Sequence, residues 1–145
     1  MKLMLKLKNI GVKNKLIAVL DTNVLVSALW TPNGKAAYIL QKVISGELQL
    51  CHYYQILIEY REVLLRPKFK FSEWQVNFLL ETIEKDGISV IPKTLPDIKF
   101  VDESDRIFYE VAKFCNAPLV TGNLKHFPDD GCIMTVSDFY QSIIQ

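Results

Sequence analysis

Cysteine is scarce in this 145-residue chain, with three in all. Cys51, Cys115 and Cys132 are odd in number and widely spaced, which argues against a disulfide-framed fold. Each lies in an apolar or strand-like setting, so buried, reduced thiols are expected. The two histidines, His52 and His126, stand far from any cysteine pair; that speaks against a zinc site and leaves both with structural roles. No apolar run approaches the ~20 residues a membrane helix needs. The opening MKLMLKLKNIGVKNK breaks its apolar residues with lysines and lacks a signal-peptide core, so a cytoplasmic protein with no membrane partner is expected. Repeats, low-complexity tracts and Gly/Ser linkers are missing as well. No glycine-rich turn follows a strand, which disfavours a flavin or nicotinamide protein.

Half of the residues are hydrophobic and 23% are charged, the balance of a folded domain rather than a disordered chain. Length allows one domain. We expect it to span 15–145, behind a basic N-terminal extension over 1–14 that reads equally as a strand or as a basic arm. The net charge of +1 conceals an asymmetry: residues 1–70 carry +7 and residues 71–145 carry −6. A basic surface beside an acidic one suits a polyanion held near a cation site.

From Lys15 onward, apolar strands alternate with helices. Strands are expected at 16–20, 48–53, 88–92, 118–122 and 132–136. Helices are expected at 23–30, 34–46, 54–69 (stopped by Pro67), 72–87 (Ser72 and Gly87 as caps), 103–116 and 137–144, the last capped by Ser137 or Asp138. This alternation is that of an α/β protein with a parallel sheet covered on both faces, whose ligands lie beyond the carboxyl ends of the strands.

Asp21 falls at that edge, directly after LIAVL. A carboxylate between two buried elements is costly to desolvate unless paired, and a cation is its usual partner; capping the following helix is the competing role. In the third helix Ile56, Leu57, Tyr60, Val63 and Leu64 mark the buried face. At ~100° per residue, Glu59 lies about 100° from its centre and Glu62 about 160°, so Glu59 borders the core while Glu62 faces water. Glu59 also has no cationic partner a turn ahead. Asp105 lies roughly 85° from the centre of the stripe Ile107, Phe108, Val111, Ala112 and Cys115, in the first helical turn, and Asp102 sits where an N-cap belongs. Thr121, Gly122 and Asn123 follow another buried strand. Asp21, Glu59, Asp105 and the Asn123 amide thus offer hard oxygen ligands at one sheet edge, a donor set suited to Mg²⁺ or Mn²⁺. Such ions activate water and neutralise charge in phosphodiester hydrolysis. Arg61, Arg66, Lys68, Lys70, Lys125 and the N-terminal lysines are candidates for holding the phosphate backbone.

The segments AVLDTNVLVSALW, ILIEYREVLLRPKF, DESDRIFYEVAKFCNAPLVTGN and LKHFP, in that order, resemble the PIN domain family, most closely its branch of toxins from toxin–antitoxin systems. The resemblance implies a three-layer α/β/α sandwich around a parallel sheet of about five strands and a Mg²⁺- or Mn²⁺-dependent ribonuclease site. It implies metal-ligand and catalytic roles for Asp21, Glu59 and Asp105, with Asp102 as an auxiliary acid and Thr22, Asn23 and Thr121 supporting the site. It further implies RNA as substrate, a small antitoxin as partner and a homodimer or higher homo-oligomer. The family's fourth acidic position, in a VTGD-like motif, is Asn123 here. An amide oxygen can coordinate but brings no charge, so one tightly held ion, or none without substrate, is expected rather than a permanent pair.

Two functions of different class follow. One is a metal-dependent endoribonuclease; the other is a catalytically weak PIN-like module that binds RNA or protein, favoured by Asn123. An aspartyl-phosphate phosphatase would also place Asp after the first strand, but its second Asp, two residues on, is Asn23 here.

Overall fold

In the computed structural model residues 16–144 are described, so the basic extension over 1–14 lies outside them. Five strands form one parallel sheet: β1 (Leu16–Leu20), β2 (Leu48–His52), β3 (Ile88–Ser89), β4 (Leu119–Thr121) and β5 (Ile133–Thr135), in the order β3-β2-β1-β4-β5. Six α-helices connect and cover it among the described residues: α1 (Thr22–Trp30), α2 (Lys35–Ile44), α3 (Tyr54–Leu64), α4 (Glu73–Asp86), α5 (Arg106–Cys115) and α6 (Val136–Ile143). The result is the three-layer α/β/α sandwich.

The strand order explains where a ligand would go. The chain winds outward from β1 through β2 to β3, then returns to lay β4 on the other side of β1 and continues to β5. The direction of winding therefore reverses between β1 and β4, and the crevice beyond the carboxyl ends of those two strands is the topological switch point. Strand β1 is central, and Ile17, Ala18, Val19 and Leu20 are all buried, as a run without polar alternation requires of a strand covered on both faces.

Several boundaries differ from expectation for physical reasons. Helix α3 stops at Leu64 instead of 69, because Pro67 forces Arg66 into extended backbone (φ −60°, ψ 132°) and opens a 3-10 turn over Pro67–Phe69. Strand β3 keeps two residues of the five expected. Helix α6 begins one residue early and is capped by Thr135, whose hydroxyl accepts from the Asp138 amide at 3.0 Å, rather than by Ser137 or Asp138. Ser72 does cap α4, accepting from Gln75 N–H at 3.0 Å. Gly87 closes α4 without a left-handed conformation (φ −86°); a Cβ there would stand 2.4 Å from the Ile83 carbonyl oxygen and 2.5 Å from that of Leu50, so glycine is required by the close approach of α4 to β2. Of the three thiols, all free, only Cys51 is fully buried; Cys115 and Cys132 are half-buried, because they sit at the end of α5 and before β5.

Candidate active site

Asp21 leaves β1 and caps α1. Its Oδ1 accepts from Thr22 N–H at 2.8 Å, while Oδ2 accepts from the Thr121 hydroxyl at 2.7 Å and from Asn23 Nδ2 at 3.3 Å. The capping and site-edge readings of Asp21 are thus the same geometry. Thr121 is fully buried at the end of β4, and its oxygen also accepts from Asn123 N–H at 3.0 Å. Across the crevice, Gly122 N–H donates to Asn23 Oδ1 at 3.2 Å. The ends of β1 and β4 are thereby cross-linked by side chains as well as by the sheet ladder.

Glu59 reaches this edge from α3. The Thr22 hydroxyl donates to Glu59 Oε2 at 2.5 Å, and the neighbouring Tyr60 hydroxyl donates to the Leu20 carbonyl at 2.5 Å in the core. One helix turn of α3 is consequently tied to the last residue of β1 and to the first of α1. Glu59 is half-buried and Glu62 exposed, as the helical spacing predicts.

Asp105 and Asp102 arrive on the 3-10 turn Glu103–Asp105 that precedes α5. Asp102 caps that turn, accepting from Ser104 N–H at 3.0 Å and from its hydroxyl at 2.9 Å, and these bonds lower its pKa. The incoming loop is fastened to α5: Arg106 donates to the carbonyls of Leu95 and Ile98 and pairs with Glu103, and buried Glu110 accepts from Leu95 N–H at 2.7 Å. Asp105 Oδ2 lies 3.2 Å from His126 Nδ1, yet the angles are not those of a hydrogen bond and this buried oxygen has no hydrogen-bond partner. The other ring nitrogen, His126 Nε2, lies 3.0 Å from Asn123 Nδ2.

Electrostatics bind the group together. Burial raises the pKa of Asp21 above the usual carboxylate range, against the lowering effect of its bonds from Thr121 and Thr22. Burial likewise raises Glu59, with further contributions from the charges of Asp21, Asp102 and Glu62. Asp105 is raised to about 6 by burial and then by Asp21 and Asp102, with His126 opposing. Desolvation plus a specific cluster of like charges is the pattern of a functional site more often than of a structural one.

The chain belongs to the PIN domain family. A family model described as PIN domain matches residues 17–125, a span that includes every residue of this edge except His126. No curated protein and no solved structure gave a match. PIN domains are nucleases as a class and generally use divalent metal ions. The donors present fit such an ion in kind: the charge of Asp21 disfavours ionisation of both Glu59 and Asp105, and one buried carboxylate oxygen of Asp105 lacks a hydrogen-bond donor. Among the described residues no group of three or more Asp, Glu, His or Cys side chains is arranged so that it could hold a metal ion.

The remaining residues named from sequence are placed elsewhere. Arg61 hydrogen-bonds Asn77 of α4, away from the acidic edge. Exposed Arg66 caps the Pro67–Phe69 turn, and Lys68 lies over the Phe69 ring, its Nζ 5.1 Å from the centroid. Lys125 is exposed on the 3-10 turn Leu124–His126, directly beside Asn123. Two contributors were read from sequence only as structural or core residues, His126 and Tyr60. The signal for His126 was its spacing: residues i and i+3 of a 3-10 turn eclipse, which brings His126 over Asn123. No helix among the described residues is long and apolar enough to cross a membrane.

Proposed function

We propose that this PIN domain is a metal-dependent endoribonuclease acting in the cytoplasm as the toxin of a toxin–antitoxin pair. What supports the nuclease reading is the electrostatic linkage of Asp21, at the end of β1, to Glu59 and Asp105: each is pushed toward its protonated form by burial, and Glu59 and Asp105 also by the charge of Asp21. Asp21, Glu59 and Asp105 would hold Mg²⁺ or Mn²⁺, with Asn123 as a weak neutral ligand and Asp102 as an auxiliary acid. Such an ion supplies activation of a water nucleophile and neutralisation of charge on the phosphodiester. The protein's own part is orientation. Thr121 and Thr22 each hold an acid at a fixed place, Asn23 spans from Asp21 to Gly122, and Tyr60 anchors α3 so that Glu59 stays opposite Asp21. Arg66, Lys68 and Lys125, and Arg61 if released from Asn77, would engage RNA phosphates without reading sequence.

Replacing Asp21 with Asn tests the assignment cleanly, because Asn is an equally good helix cap and the fold should persist. Mn²⁺-dependent cleavage of RNA should fall by at least about 100-fold, with an unchanged circular dichroism spectrum; cleavage that survives the substitution removes the reaction from this site. Calorimetry should find about one Mn²⁺ per chain. The toxin role predicts growth arrest on expression, relieved by a small protein encoded next to it, and a homodimer by light scattering. Asn123 supports a second reading, an RNA- or protein-binding module with little catalysis, which a parent chain that binds RNA but cleaves none of a varied set would favour.

A further inference from the structure

His126 stands between the two residues whose roles at this edge differ most, the acid Asp105 and the amide Asn123, with its Nδ1 3.2 Å from Asp105 Oδ2 and its Nε2 3.0 Å from Asn123 Nδ2. A singly protonated imidazole has one donor and one acceptor nitrogen. Placing the proton on Nε2 would set a bare Nδ1 against a carboxylate oxygen, two acceptors in contact. Placing it on Nδ1 turns an N–H toward that oxygen, an electrostatic attraction rather than an aligned hydrogen bond, and makes Nε2 an acceptor, which can only be met by the NH₂ end of the Asn123 amide. The amide orientation then follows: its nitrogen is turned to the ring, and its Oδ1, which accepts no hydrogen bond among the described residues, is the atom left for a ligand. The backbone reinforces this arrangement, since Asn123 N–H is tied to the Thr121 hydroxyl that also holds Asp21, and His126 N–H donates to the Asn123 carbonyl at 3.1 Å.

We propose that His126 is a positioning residue that fixes Asn123 with its amide oxygen free, making Asn123 a neutral oxygen ligand for the divalent cation at the acidic edge. This rests on the metal-site reading above. Asn123 and His126 then form a matched pair. A carboxylate at position 123 would pair with the ring through a protonated Nε2, so the gain in cation affinity from adding an acid there depends on the histidine.

The tautomer is read directly from two-bond ¹H–¹⁵N correlations of the ¹⁵N-labelled full chain in EDTA at pH about 7.5; the chain has two histidines, and a His126→Gln variant assigns them. The expected spectrum shows His126 protonated at Nδ1 and bare at Nε2. In Mn²⁺ calorimetry without RNA, His126→Ala should weaken binding roughly 10- to 100-fold, the range for losing a residue that orients a ligand. His126→Gln, whose amide offers both a donor and an acceptor, should recover part of the loss. Asn123→Asp should tighten Mn²⁺ binding more in the His126→Ala background than in the parent. An Nε2-protonated His126, Mn²⁺ affinity indifferent to His126→Ala, additive effects of the two substitutions, or a parent chain that takes up no Mn²⁺ would each overturn the proposal. A parent that shows the tautomer and binds Mn²⁺ but cleaves no RNA would instead leave it standing and remove the ribonuclease reading.

Discussion

Asp105 carries the largest consequence of the site's electrostatics at the scale of a residue. Its carboxyl is raised from the ordinary value of 3.8 to about 6, chiefly by burial and then by Asp21 and Asp102. Between those two values the folded state binds more protons than the unfolded one, so metal-free stability must fall as pH rises through that window. Asp105→Asn lacks the ionisation. In EDTA its Tm should exceed that of the parent by a margin that grows from pH about 4 and levels off above pH about 6; a margin independent of pH would show that Asp105 is not the group responsible. The partial exposure of this carboxyl keeps the effect modest. The acids themselves were legible in the sequence, since Glu59 and Asp105 each lie at the border of a helical apolar stripe and Asp21 ends a buried strand. His126 was less so: its i, i+3 spacing points only to Asn123 on the same turn, and its approach to Asp105, from a distant segment, emerges only with the fold.

Helix α3 shows how a whole element is placed by one polar bond. Tyr60 belongs to the apolar face, and its ring is buried beside Phe108, but its hydroxyl donates to the carbonyl of Leu20, the residue before Asp21. The bond fixes the height of α3 along β1, and with it Glu59 relative to Asp21. Tyr60→Phe keeps the ring and removes the bond. Denaturant unfolding should show a loss of about 1 kcal/mol, and Mn²⁺-dependent cleavage should drop severalfold beyond what that loss explains, because Glu59 is no longer held in register. A stability change without a change in cleavage would confine Tyr60 to packing. Elements of this length were legible wherever a period or a continuous apolar run spans them, as in β1 and α4. The failures were at ends. The Arg66 backbone obeys Pro67, α6 finds its cap in Thr135 from the preceding strand, and β3 pairs only where β2 still faces it; each depends on a neighbour that local pattern does not contain.

At the scale of the molecule, the parallel class follows from alternation, but the order β3-β2-β1-β4-β5 does not, and the site depends on that order. It sets β1, from the basic half of the chain, against β4, from the acidic half, so that Asp21 and Glu59 of one half meet Asp105 and Asn123 of the other. Arg66 and Lys68 of the basic half are exposed, and exposed Lys125 stands on the turn that follows Asn123. If these hold a polyanion, binding must release counterions, and the logarithm of the affinity for single-stranded RNA should fall linearly with the logarithm of salt concentration, by about 0.7 per phosphate neutralised. Measured by anisotropy in EDTA, where hydrolysis is suppressed, Lys68→Ala and Lys125→Ala should each weaken binding at low salt and shallow the slope by about 0.7, with similar effects on unrelated RNA sequences. Arg61→Ala should leave the slope alone as long as Arg61 remains engaged with Asn77. A slope unchanged by Lys68→Ala and Lys125→Ala would move the RNA path away from this face, toward the lysines that precede β1.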